Sequence, residues 1–237
     1  MEPFDSFWEA PEDVEKGYRS FGLFYRENYV PHLPEDRGGE VLVISCGPGY
    51  FLNVLSDLGY RSVLGIDSYP EKVDLARAKG LNARAARAFP TLAQSKAAFD
   101  VIICEQELNH LTKVEMLEFL RLCHQSLRPG GRLIVHGLNG ANPITGSEAR
   151  AQNFDHYNMF TEYSLRQVLE HSGFTEIRVF GLNPYVFRSN PFNYVAMAVA
   201  GLLTFVFRCC FVLYGKSNRI FEKKIGGACR KPLEAGS

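Results

Sequence analysis

Residues 41–67, VLVISCGPGYFLNVLSDLGYRSVLGID, constrain this chain more than any other stretch. The apolar run Val41–Ile44 has the length and character of a buried strand. Ser45-Cys46-Gly47-Pro48-Gly49 then predicts a tight, glycine-bearing turn. Phe51, Leu52, Val54, Leu55 and Leu58 follow with helical spacing, and Gly59 stops that helix. A second apolar run, Val63–Ile66, ends in Asp67. Strand, turn, helix, strand and terminal acid make half of a nucleotide-binding α/β unit.

Glycines in such a turn let backbone approach a ligand where a Cβ would collide. The free N–H groups at the start of the helix favour a negative or polar group. Asp67 lies 18 residues after Gly49, placed to accept hydrogen bonds from two ribose hydroxyls. A dinucleotide fingerprint needs a third glycine three residues after the second. Here that position is Leu52, so a pyrophosphate reader is disfavoured. A cofactor with a ribose and no phosphate fits better, and S-adenosylmethionine (SAM) is the common one.

The 237 residues predict one domain with an appendage. Lys plus Arg equals Asp plus Glu at 26 each, so no basic excess points to nucleic acid. The six cysteines form no C-x-x-C pair and no zinc spacing. They read as reduced thiols in a cytoplasmic protein. No acid/His cluster suggests a metal, and none is expected. The acidic, proline-broken N-terminus is neither signal nor transit peptide. Residues 1–12 read as irregular.

From Asp13 a helix is expected, carrying Val14, Tyr18, Phe21, Phe24, Tyr25 and Tyr29 on one face until Pro31 and Pro34 end it. This aromatic stripe serves as packing or as a lid over a cofactor pocket. Further helices are expected from Pro70 to Gly80, over Val114–Leu127 and from Thr161, an N-cap, to His171. Strands are expected at 81–89 (weakly), Phe99–Cys104, Arg132–His136, Phe174–Phe180 and Ile225–Arg230. Arg128-Pro129-Gly130-Gly131 reads as the close of a helix, and a loop of about 20 residues runs to Met159. Strands that alternate with helices predict a doubly wound, mostly parallel α/β sheet.

VLVISCGPG, the GID ending at Asp67, FDVIICEQELNHL and LRPGGRLIV occur in the order and spacing of class I SAM-dependent methyltransferases, and the chain resembles that family over residues 41–136. The resemblance implies a Rossmann-like sheet of seven strands, the last antiparallel and inserted beside the sixth. It also implies SAM as cofactor and methyl transfer as the activity. FGLFYRENYVPHLP, NGANP, NFDHYNMFTEYSLRQVLEHSGF and IGGACRKP are similar to a bacterial subgroup associated with surface-polysaccharide biosynthesis. That implies O-methylation of a glycan or glycan precursor. The alternatives are a lipid, quinone-like or secondary-metabolite acceptor, or SAM binding without methyl transfer.

The cofactor-binding positions implied are Tyr25, Ser45, Cys46, Gly47, Gly49, Asp67, Ser68, Arg87, Ala88 and Glu105. The chain departs from the family pattern in four places. Val43 stands where an acid is usual and Ser45 where a glycine is. Arg87 or Ala88 lies near the usual acid after the third strand, and Asn109-His110 replaces a Glu-His pair. Histidine suits proton removal from a hydroxyl at neutral pH. His156, in the loop after the fifth strand, is the first candidate base and His110 the second. His136 at a strand end is a weaker one, and any of the three can serve as a structural tether instead. Glu105 and Glu107 follow the fourth strand, as a SAM amine acceptor or as solvated loop acids.

Residues 194–214, YVAMAVAGLLTFVFRCCFVLY, are the most hydrophobic part. Arg208 interrupts the run and leaves 13 residues from Val195 to Phe207, short of the ~20 a membrane span needs. The stretch reads as an interfacial helix at the inner face of a membrane, or as a self-association or substrate-pocket element. The resulting organisation is an N-terminal helical lid (1–35), a SAM-binding core (36–181), an apolar helical insert (182–224), and a last strand and unstructured tail (225–237). The oligomeric state stays open.

Overall fold

The computed structural model describes residues 14–105, 108–184, 186 and 190–233. The expected irregular start (1–12), Asp13, Glu107 and most of the tail lie outside the described residues.

Seven strands form one sheet: β1 (Glu40–Ile44), β2 (Ser62–Asp67), β3 (Ala83–Ala85), β4 (Phe99–Cys104), β5 (Leu127–Leu138), β6 (Thr175–Leu182) and β7 (Lys224–Arg230). Among the described residues eight α-helices accompany them: α1 (Val14–Asn28), α2 (Tyr50–Asp57), α3 (Pro70–Ala78), α4 (Ala88–Gln94), α5 (Lys113–Ser126), α6 (Gly146–Ala151), α7 (Glu162–His171) and α8 (Phe192–Leu213). The strand order is β3-β2-β1-β4-β5-β7-β6. β7 runs antiparallel to both β5 and β6, with Leu138 and Leu182 each opposite Lys224. The other neighbouring pairs are parallel. This is the Rossmann-like sheet expected from the sequence.

Alternation along the strands separates two apolar layers. Leu42, Ile44, Ile102, Leu133 and Val135 join Leu92, Phe119, Leu165 and Leu169 from α4, α5 and α7. Val41, Val43, Val101, Ile103 and Ile134 join Tyr18, Tyr25, Phe51 and Val73 from α1, α2 and α3. Helices therefore cover both faces. β1, β2, β4, β5 and β6 all end at one edge of the sheet, the edge at which such folds bind ligands.

Some boundaries differ from the sequence expectation. β3 is limited to Ala83–Ala85, and α6 occupies the middle of the long loop. β5 begins at Leu127 rather than Arg132, so the Pro-Gly-Gly segment belongs to the strand. Register explains this: Phe99 pairs with Leu127 but Val101 with Arg132, so residues 128–131 bulge opposite Asp100. The bulge is held by an Arg128–Asp100 ion pair and by the Gly130 N–H donating to the Lys231 carbonyl. The Thr161 cap is as read, its hydroxyl accepting from the Ser164 N–H. None of the six cysteines is paired.

Candidate functional site

The turn after β1 is shaped for close approach. Ser45 (φ 57°), Gly47 (φ 52°) and Gly49 (φ 87°) all take left-handed backbone. Gly49 is fixed by crowding, since a Cβ there would meet Leu81 Cδ1 at 2.8 Å and Ala76 Cβ at 3.0 Å. At Gly47 a Cβ would meet nothing within 4 Å, so it would project into an open cradle. Ser45 adopts without a glycine the conformation that glycine adopts freely, which accounts for the family's usual residue there. Cys46 is turned inward. Its thiol lies beneath Gly65, where an added Cβ would approach Sγ to 2.8 Å, and burial raises its pKa. Only its backbone can meet a ligand.

Asp67 ends β2 beside this turn and is buried. Its Oδ2 accepts from the Gly47 N–H and its Oδ1 from the Tyr69 N–H, both at 2.9 Å. A carboxylate offers about four acceptor positions, so two hydroxyls can still be taken. Ser68 follows, half-buried. Arg87, exposed, precedes α4 next to this strand end, and Ala88 is buried in the core beneath it. At this position, then, Arg87 is the exposed side chain.

Glu105 follows β4. Tyr25 of α1 donates its hydroxyl to Glu105 Oε2, while Oε1 is shut off from water with no hydrogen-bond partner among the described residues. Burial raises the Glu105 pKa to about 8; the Tyr25 bond opposes this and the Asp67 charge adds to it. The Tyr25 phenol is pushed well above its ordinary range, first by burial and then by Glu105. Tyr18 of the same helix donates to the Pro48 carbonyl. Helix α1 thus packs on α2 and reaches the turn through Tyr18 and Glu105 through Tyr25.

SAM fits this set of groups. The open cradle at Gly47, the two remaining acceptor positions of Asp67 and the unpaired oxygen of Glu105 suit a ligand with ribose hydroxyls and a cationic end. The pH behaviour follows. Glu105 holds its proton more tightly folded than unfolded, so the fold is favoured at acid pH and loses stability as pH rises from about 4.5 to about 8. The loss is on the order of 5 kcal/mol. Glu105→Gln is expected to flatten the fall of Tm over this window and to weaken SAM binding. Melting curves across pH with calorimetric titration check both; an unchanged Tm profile would remove the basis for this assignment.

A second cluster lies past β4 and β5 at the same edge. His110, at the end of a 3-10 turn over Leu108–His110, directs Nδ1 to Asp155 Oδ2 at 2.7 Å, and both residues are buried. A carboxylate accepts, so Nδ1 carries the hydrogen and Nε2 is the basic nitrogen. The His156 ring packs edge-on against His110, centroids 4.7 Å apart. His156 Nδ1 donates to the Ala149 carbonyl, and its Nε2 lies 3.2 Å from Asn153 Nδ2. The Asn109 carbonyl ties the two loops, accepting from the N–H groups of Tyr157 and Asn158. The Asn109 side chain is buried, and neither of its polar atoms has a hydrogen-bond partner among the described residues.

The fold therefore brings both expected histidines together and adds Asp155, which the sequence reading passed over. The one available signal was its place directly before His156. The fold also gathers an acid/His cluster that spacing did not reveal, with ligand-capable atoms of His110, Asp155 and His156 within 4.8 Å of one another. His136 has a separate partner: its Nδ1 lies 2.6 Å from the Tyr29 hydroxyl, and both residues are buried.

A mitochondrial ubiquinone biosynthesis O-methyltransferase from Rattus norvegicus is 30% identical over 121 residues, 47% of this chain and 34% of its own length. The ubiquinone biosynthesis O-methyltransferase of Xylella fastidiosa (strain M23) is 30% identical over 142 residues, 57% of this chain and 56% of its own length. The chain thus spans between a third and just over half of these relatives. The crystal structure of a SAM-dependent methyltransferase from Archaeoglobus fulgidus superposes with a TM-score of 0.66 at 16% identity, covering 92% of this chain and 98% of that one. Residues 18–179, more than half of the chain, match the family described as Methyltransferase domain. The chain belongs to that family, and its fold is that of the class I SAM-dependent methyltransferases.

Proposed function

We propose that the protein is a SAM-dependent O-methyltransferase acting on a hydroxyl of a lipophilic, quinone-like acceptor, with His110 as the base. When bound, SAM supplies the electrophilic methyl group. Gly47, Asp67 and Glu105 would hold it, with Tyr25 fixing Glu105. His110 Nε2 takes the acceptor's hydroxyl proton, and Asp155 holds the ring in the required tautomer and stabilises the imidazolium that forms. His156 packs on His110 and positions it. The observation that carries this reading is the buried His110–Asp155 pair at the sheet edge that also bears Asp67 and Glu105.

The quinone-like acceptor, the second reading of the sequence, is supported by the names of the relatives and by the apolar helix α8 inserted at the same sheet edge. The glycan acceptor suggested by the polysaccharide subgroup draws no support from those relatives. Labelled SAM offered with a hydroxylated polyprenyl quinone analogue and with a panel of sugars tests the choice. Label on a quinone oxygen is expected. Label on sugars only would reverse the acceptor assignment, and SAM binding with no transfer to any acceptor would favour a binding protein. Turnover abolished by a chelator and restored by a divalent cation would make His110, Asp155 and His156 a metal centre instead.

A further inference from the structure

We propose that α8 is a membrane-docking helix that lies in the plane of an anionic phospholipid surface and seats the active-site edge of the sheet against it. Helix α8 has 22 residues, none of them buried. It is the one helix among the described residues long and apolar enough to cross a membrane by length and composition. Together with Tyr214 it carries ten of the twenty exposed large apolar side chains of the described residues, so the apolar surface is concentrated here. One side, with Ala196, Ala200, Leu203, Thr204 and Phe207, is partly covered. Val195, Val199, Leu202, Phe205 and Val206 stand outward.

Three observations choose a lipid surface as the occupant. The first is charge. No Asp or Glu occurs between Glu176 and Glu222, whereas Arg178, Arg188, Arg208, Lys216 and Arg219 do. Lys216 and Arg219 are exposed just past the helix. Basic residues beside an apolar helix match an anionic interface. The second is the aromatic pair at the two ends, Tyr194 and Tyr214, 56% and 88% exposed, a residue type suited to headgroup depth. The third is position. The insert leaves the sheet at Leu182 and returns at Lys224, which pair with each other. That is the edge where Asp67, Glu105 and His110 lie.

The same contacts set the helix in the plane. Phe207 and Phe211 pack on Phe221, with centroids at 5.9 and 4.9 Å. Phe221 is itself buried, and its carbonyl accepts from Asn142 Nδ2 at 2.6 Å. Neighbouring carbonyls of Ile220 and Glu222 accept from Asn139 Nδ2. The C-terminal half of α8 is thus fastened to the loop that follows β5, and the helix cannot cross a bilayer without breaking that packing.

Flotation of the full chain with phosphatidylcholine vesicles, with and without phosphatidylglycerol, tests the proposal. Flotation with the anionic vesicles is expected, together with release in alkaline carbonate. Leu202→Glu with Phe205→Glu, both on the outward face, should lower partitioning by about a hundredfold or more while SAM binding stays unchanged. Lys216→Gln and Arg219→Gln should each lower it about fivefold. Absence of flotation, or flotation that ignores the double glutamate variant, would overturn the proposal. Resistance to carbonate would overturn the in-plane geometry. A concentration-dependent dimer that the glutamates abolish, without vesicle binding, would assign the face to a second copy of the chain.

Discussion

Asp67→Ala is expected to weaken SAM binding by roughly 10²- to 10⁴-fold, the scale set by losing two hydrogen bonds to a charged acceptor at ~1.5–3 kcal/mol each. The effect has two sources in this structure. The carboxylate loses the positions left for ribose hydroxyls, and the turn loses its clamps, since Asp67 accepts from the Gly47 and Tyr69 N–H groups. Asp67→Asn separates the sources. It keeps one acceptor oxygen and the side-chain volume, so it should cost less in affinity than alanine. Calorimetric titration with SAM and with its demethylated product, beside a melting curve for each variant, measures both. An Asp67→Ala protein that binds SAM as tightly as the parent would remove Asp67 from the site.

The second large effect is expected in turnover. His110→Ala should lower kcat by about 10²- to 10⁴-fold, the usual contribution of general-base catalysis, with SAM affinity close to the parent's. Asp155→Asn should lower kcat as well, because an amide facing His110 Nδ1 no longer enforces the tautomer that leaves Nε2 basic. His156→Ala provides the comparison. Its Nδ1 donates to a neutral carbonyl, that of Ala149, rather than to a carboxylate, and its Nε2 lies 3.2 Å from the Asn153 amide nitrogen, whose hydrogen it accepts, so a smaller loss is expected, as for a positioning residue. If His156→Ala abolishes turnover and His110→Ala does not, the roles are exchanged.

What the sequence disclosed follows the range of the interactions involved. The turn with Gly47 and Gly49 and the acid at Asp67 are encoded within 27 residues, where strand, turn and helix signals succeed one another directly. The near-continuous apolar runs 41–44 and 99–104 likewise declare buried parallel strands. The His110–Asp155 pair was not legible. Its members lie 45 residues apart, and they meet because two loops share the carbonyl of Asn109. Tyr25 and Glu105 are 80 apart and joined by the packing of α1. The start of β5 was misplaced for a similar reason. Pro129, Gly130 and Gly131 have turn chemistry, and only the register against β4 and the pairing with Lys231 reveal a bulged strand.

The position of β7 bears on how the chain is made. Its two neighbours, β5 and β6, emerge from the ribosome well before it does. Until β7 arrives the nascent sheet has a gap bounded by two unpaired strand edges, a state open to pairing with the wrong chain. Helix α8 is synthesised inside that interval, ahead of the strand that closes the gap. The least soluble segment is therefore exposed while the sheet is still incomplete. An early encounter of α8 with a lipid surface would shelter it during the same interval in which β7 is awaited.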